Sequence, residues 1–313
     1  MTTAHHAVQR PRHLNDIPGW FPLLDQVLFD WLLNRQKTTG VRGDLLEVGV
    51  YMGKSAIFLG RYLQEGERYT VCDLFEGDAP DDANRAESTK SYAALTRQAF
   101  EANYLSFHDE LPRVVQGPSS LVTDEVERGS CRFAHIDGSH LYEHVHGDIG
   151  AARDALLPDG IVALDDFRSE HTPGVSVAVW EAVLNRGLRP ICLTTQKLYG
   201  TWGDPEPVQQ ELLAMAQGRS DCGVSVQHAA GHCLVRLKSK GVKAPDFPSS
   251  RYAEEPEPIA PLPADKSVAT TKETKPAPHR HAHRLATDLL PPLLTRAIRK
   301  ARPANRHAAK PHS

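Results

Sequence analysis

Residues 132–167 read RFAHIDGSHLYEHVHGDIGAARDALLPDGIVALDDF. Two short apolar runs, Phe133–Ile136 and Ile161–Leu164, have the length and composition of buried strands, and each ends abruptly in carboxylate. The first delivers Asp137 followed by Gly138, Ser139 and His140; the second delivers Asp165 and Asp166. Between them lies one helical segment, Tyr142–Leu156, long enough for a single crossover, and such crossovers between parallel strands are right-handed. Strands joined in that way present their C-terminal ends side by side. Three acids and a histidine therefore converge at the sheet edge where open α/β sheets bind ligands.

Working outward, strand and helix patterns alternate from Asp44 to about Leu237, which predicts an α/β fold with a mostly parallel sheet flanked by helices. Seven strands are expected: Leu45–Val48, Tyr69–Asp73, Arg113–Gln116, Phe133–Ile136, Ile161–Leu164, Ile191–Thr195 and one near His232–Leu237. Pro18–Arg35 has apolar residues at helical spacing and reads as an amphipathic helix packing on the domain. The expected organisation is a helical segment over 1–43, a ligand-binding domain over 44–240, and a Pro-rich linker with a basic, disordered tail over 241–313.

The first strand runs into Glu47-Val48-Gly49-Val50-Tyr51-Met52-Gly53-Lys54-Ser55. Glycines at 49 and 53 permit a tight turn and close approach of a ligand. The spacing is not the G-x-G-x-x-G of dinucleotide folds, and it is one residue short of a phosphate-cradling P-loop. What it fits is E-x-G-x-x-x-G with an acid, Asp73, closing the second strand, where a carboxylate can accept ribose hydroxyls. Here the chain resembles the class I S-adenosylmethionine-dependent methyltransferases, whose Rossmann-like fold the resemblance implies. It also implies that Glu47, Gly49, Gly53, Ser55 and Asp73 serve the methyl donor, with Gly117 and Ser119 near its adenine.

The IDGSHLYE…LLPDGIVALDDF stretch narrows the resemblance to macrocin-type sugar and antibiotic-tailoring O-methyltransferases. That resemblance implies Asp137, Asp165 and Asp166 as ligands of Mg²⁺ or another hard divalent cation that grips the acceptor hydroxyl. Oxygen donors suit such an ion, and three carboxylates without any cation would repel one another, so a metal or a cationic partner is required. His140 is the candidate general base because imidazole titrates near neutrality, with Asp137 as the alternative. His171, Tyr51 and Met52 are weaker candidates for lining the site, as are His144 and His146. The expected partner is a hydroxylated small molecule such as a sugar. Rival readings are a hydroxylase-like tailoring enzyme on this fold and a catalytically silent, membrane-recruited module.

Composition bounds the rest. The 313 residues are 40% hydrophobic and 24% charged, ordinary for a soluble globular protein. No apolar run approaches the roughly 20 residues that span a bilayer. The start, MTTAHHAVQRPRHLND, lacks the core of a secretory signal, which gives a cytoplasmic expectation. The five cysteines show no CxxC pairing and read as reduced, packed thiols. The net charge of −3 hides an asymmetry, since ten basic residues from Lys272 onward stand against two acids. The acidic body gives no nucleic-acid expectation. The tail suggests weak contact with an anionic membrane, hence a peripheral position at its inner surface, and the N-terminal helix leaves homo-oligomerisation open.

Overall fold

The computed structural model describes residues 10–254 other than 92–94. The basic tail, with the disorder and membrane contact expected of it, lies outside the described residues. The elements in chain order are α1 (Leu23–Thr38), β1 (Asp44–Val48), α2 (Lys54–Gly60), β2 (Tyr69–Asp73), α3 (Asp82–Ser91), α4 (Arg97–Tyr104), β3 (Arg113–Gln116), α5 (Val122–Glu125), β4 (Cys131–Ile136) and α6 (Tyr142–Ala155). They continue with β5 (Leu156–Leu164), α7 (Pro173–Asn185), β6 (Arg189–Leu193), β7 (Leu198–Thr201), α8 (Glu206–Gln217), β8 (Cys222–Ala229) and β9 (His232–Ser239).

The strands form one sheet in the order β3-β2-β1-β4-β5-β7-β6-β9-β8. It has nine strands among the described residues, not the seven expected. The two additions have distinct physical origins. β7 is the return arm of a hairpin with β6, closed by Thr194 and Lys197 without the glycine or asparagine that advertises a turn. β8 is a largely exposed edge strand whose hairpin to β9 turns on Ala230 and Gly231, both at positive φ. The order reverses between β1 and β4, which makes that pair the topological switch point.

Register fixes the level of the site. Val48 lies opposite Cys72 of β2 and Ile136 of β4, and Ile136 lies opposite Leu164 of β5. Gly49, Asp73, Asp137 and Asp165 therefore leave four adjacent strands at one height. Alternation then sorts the faces, because successive side chains point to opposite sides. Leu45 and Phe133 join the apolar cluster that includes Phe29, Leu32 and Phe58, while Leu46, Ala134 and Ile136 join the cluster with Ile149 and Val179.

Pro22 delays the first helix. The predicted helix over 18–35 begins at Leu23, and Pro18–Phe21 approach it without helical structure. At the other end, residues 242–254, assigned by sequence to the linker, lie on the body. Val242 is buried, Phe247 stacks on Phe58 at 5.5 Å, and the Ser250 amide donates to the Arg12 carbonyl at 2.9 Å. All five cysteines are free thiols, four of them buried.

Candidate functional site

A cavity of about 1020 Å³ opens over the C-terminal ends of β1, β2, β4 and β5. That is the upper end of the range of small-molecule sites, roughly 300–1,000 Å³, so two ligands can share it. Backbone strain concentrates there. Of the four described non-glycine residues at positive φ, three line the cavity: Tyr51 at 47°, Phe75 at 51° and Asp166 at 52°. Such strain persists where the surroundings over-determine it, as at ligand sites.

The glycine turn after β1 is built for close approach to β4. Gly49 has φ +80, and a Cβ there would stand 2.0 Å from the Asp137 carbonyl oxygen, so no larger residue fits. Gly53 faces Phe100 and does not line the cavity. Asp73 does line it, and its carboxylate is already engaged. Oδ2 accepts the amides of Val50 at 2.8 Å and Tyr51 at 3.0 Å, and Oδ1 accepts that of Phe75 at 2.8 Å. Asp73 thus pins the turn and keeps about one acceptor site for a ligand hydroxyl, out of roughly four on a carboxylate. Burial raises its carboxyl above the usual range against the pull of those amides.

Glu47 corrects an expectation. It is fully buried and does not reach the cavity. Its carboxylate accepts from Ser55 Oγ, from the Tyr69 hydroxyl and from His135 Nδ1 at 2.8 Å. Ser55 reaches the cavity wall but spends its hydroxyl on Glu47. Gly117 and Ser119, after β3, also line the cavity, as does Tyr51; Met52 packs into the core instead.

Asp137, Asp165 and Asp166 all line the cavity, and beside them stands a cation, Lys197, that sequence reading missed. Lys197, fully buried on the β6–β7 turn, donates to Asp165 Oδ2 and to His135 Nε2, the latter at 2.9 Å. Burial pulls the Lys197 ammonium down, but Asp165, Asp137 and Asp25 outweigh it and hold it charged. Burial would raise Asp165, but the Lys197 ammonium brings it down to about 2. Asp137 moves the other way: burial, then the neighbouring Asp165, drive it well above the ordinary value. His135 is pushed down by burial and by Lys197, so it is neutral. Since Lys197 can only donate, the neutral ring carries its proton on Nδ1, toward Glu47.

At the open side, His140 Nε2 pairs with Asp166 Oδ2 at 2.9 Å, and the His171 ring stands edge-on to His140 at 6.4 Å. Asp137, His140 and Asp166 each offer one atom within 4.8 Å of the others, and His135, Asp137 and Asp165 do the same. Asp137 belongs to both groups, whereas Asp165 and Asp166 fall in different ones. His144 and Asp81 pair at 2.8 Å across the cavity rim, while His146 lies 3.9 Å from Glu181 and outside the cavity. Asp148 of α6 also lines the cavity, and burial raises its carboxyl to about 6 despite a hydrogen bond with Ser119. A polar residue inside an apolar pattern was the available signal for the missed groups: His135 in FAHI and Lys197 before LYGT.

Residues 46–167 match the family described as "Methyltransferase domain". The 8-demethyl-8-(2,3-dimethoxy-alpha-L-rhamnosyl)-tetracenomycin-C 4'-O-methyltransferase of Streptomyces olivaceus is 28% identical over 142 residues, covering 41% of this chain. The chain spans about half that relative's length, 54%. Among solved structures, the O-methyltransferase NovP is 20% identical with a TM-score of 0.48, covering 57% of this chain and 79% of its own. CalS11, a TDP-rhamnose 3'-O-methyltransferase of calicheamicin biosynthesis, is 23% identical with a TM-score of 0.39, covering 58% of this chain and 80% of its own. Among the described residues, no helix is long and apolar enough to cross a membrane. The matched residues run from β1 to the end of β5, the strands whose C-terminal ends open into the cavity.

Proposed function

We propose that the protein transfers a methyl group from S-adenosylmethionine to a hydroxyl on the sugar of a glycosylated secondary metabolite. One observation carries this reading: a single cavity holds both the glycine turn with Asp73 and the Asp137–His140–Asp166 group. The rhamnosyl acceptor in the name of the tetracenomycin relative supports a sugar as substrate.

In this reading Gly49 and Asp73 seat the donor, with Gly117 and Ser119 beside its adenine. The acceptor hydroxyl faces His140. Its oxygen forms a bond to the methyl carbon while the carbon–sulfur bond breaks and the sulfonium becomes a thioether. The hydroxyl proton passes to His140 Nδ1, the ring nitrogen other than the one paired with Asp166, and Asp166 orients the ring through Nε2 and stabilises its imidazolium. Most of the acceleration is positioning, because displacement at a methyl group needs alignment above all. Carboxylate oxygens suit a hard cation, and Asp137 would hold it together with Asp166 or with Asp165, the latter braced from behind by Lys197, which His135 contacts in turn. Such an ion would lower the pKa of the acceptor hydroxyl.

Calorimetry with S-adenosylhomocysteine tests the donor half, and Asp73→Ala should weaken binding at least tenfold. Methyl transfer to an aryl rhamnoside, assayed with Mg²⁺ and with EDTA, tests the acceptor half. Absence of homocysteine-nucleoside binding overturns the whole reading. Turnover that is indifferent to EDTA removes only the metal.

A further inference from the structure

Among the exposed large apolar side chains of the described residues, Trp20 is the most exposed, at 75%. It stands on the cavity wall with Pro18, Gly19 and Pro22, in the segment that sequence reading had made part of a helix. Its neighbours explain why it is held there. Ile17 and Phe21 are buried in the core, so the backbone on both sides of Trp20 is anchored. Lys54 Nζ donates to the Gly19 carbonyl at 3.0 Å, which ties the segment to the start of α2. Gly19 itself has φ +133, a conformation that a side chain would strain.

The indole stacks on Tyr51 with centroids 5.9 Å apart and planes 26° from parallel. Tyr51 reaches that position through a left-handed backbone, and its amide is fixed by Asp73. Two aromatic rings, each positioned by constrained backbone, thus form a platform with most of the indole open to solvent. Leaving so large an apolar side chain in water is unfavourable unless something covers it in use. The remaining cavity wall meets polar ligand groups through Asp73, Ser119, Asp137, His140 and Asp166. The platform suits a flat ring with an apolar face.

We propose that Trp20, backed by Tyr51, is a specificity-determining residue that takes the apolar C–H face of the acceptor's pyranose ring. The proposal rests on the acceptor reading above. Stacking on that face leaves the ring hydroxyls at its edge, available to the His140 side of the cavity.

The test uses the full chain labelled with 5-fluorotryptophan, whose four tryptophans give four ¹⁹F signals. The Trp20 signal is the one lost in Trp20→Phe. S-adenosylhomocysteine is added first to saturation, then methyl α-L-rhamnopyranoside. The expected result is that the Trp20 signal moves with the rhamnoside and not with the nucleoside. Trp20→Ala should weaken rhamnoside binding at least tenfold with nucleoside affinity unchanged, and Trp20→Phe should recover most of the loss. A Trp20 signal that stays in place while the rhamnoside is bound or methylated overturns the proposal. So does a Trp20→Ala variant within twofold of the native affinity, absence of rhamnoside binding, or a Trp20 shift caused by the nucleoside alone. Failure of the methyltransferase reading registers separately, as absence of nucleoside binding by the native protein.

Discussion

Replacing Lys197 by methionine should destabilise the protein by about 3–5 kcal/mol at pH 7, the usual cost of removing one partner from a buried ion pair. The structure supplies an independent lower bound. Asp165 is held near a pKa of about 2 by Lys197, against a burial penalty that works in the opposite direction. Without the ammonium, burial dominates and carries Asp165 above its ordinary 3.8. A swing from about 2 to at least 3.8 corresponds to roughly 2–3 kcal/mol at neutral pH. The lost contact with His135 adds to it. Urea unfolding followed by circular dichroism measures the change. The sign of the pH dependence is the sharper discriminator. In the native chain a depressed Asp165 contributes stability that is present above about pH 4 and is lost as pH falls toward 2. In Lys197→Met the carboxylate is an unpaired buried charge, so stability should rise as pH falls from 7 to 5. Lys197→Met with Asp165→Asn should recover at least half of the loss. A loss below 1 kcal/mol, or a double variant no better than the single, would refute the claim that Lys197 neutralises the acid cluster.

Two further outcomes follow from other groups. Asp148, raised to about 6 by burial, takes up a proton on folding, so its contribution to stability is present below about pH 4 and lost as pH rises through 6. Asp148→Asn should therefore stabilise the chain by up to about 3 kcal/mol at pH 8 and leave it unchanged at pH 4, as thermal unfolding at the two pH values would show. Gly49→Ala places a methyl group 2.0 Å from the Asp137 carbonyl at φ +80, and the β1–β4 contact must open. A loss of more than about 3 kcal/mol is expected, and a variant of native stability would mean that the turn has slack which this packing does not allow.

The parts of the fold that the sequence disclosed are those in which local pattern and tertiary role coincide. The apolar runs of β1, β2, β4 and β5 are buried on both faces, so composition alone marks them. Their carboxylate ends mark the site edge for the same reason, since an acid can follow such a strand only where the sheet stops. β8 defeated that logic because its side chains face solvent and its turn residues are alanine and glycine. Trp20 defeated it differently. Helical spacing extends back through Phe21, and only Pro22 shows that the backbone must break there. Glu47 carried the right motif and a wrong inference, because a motif gives position along the strand and says nothing of which face the side chain takes.

That face is what joins the two halves of the site. Glu47 lies opposite His135 across the β1–β4 ladder, and both point to the side of Leu45 and Phe133. Asp165 follows Ile161 and Ala163 at even spacing and so shares that side, where Lys197 meets it from the β6–β7 turn. The result is a buried chain of hydrogen bonds: Ser55 to Glu47, Glu47 with His135, His135 with Lys197, and Lys197 to Asp165. It begins at the helix that follows the glycine turn and ends at the acid cluster. Each member is saturated by the next, so a shift in one cannot be absorbed by solvent as it would be at a surface. The glycine turn and the acid cluster are therefore held at fixed separation by polar contacts beneath the cavity floor. An in-line displacement needs that constancy, because the reacting oxygen and the methyl carbon must meet along one axis.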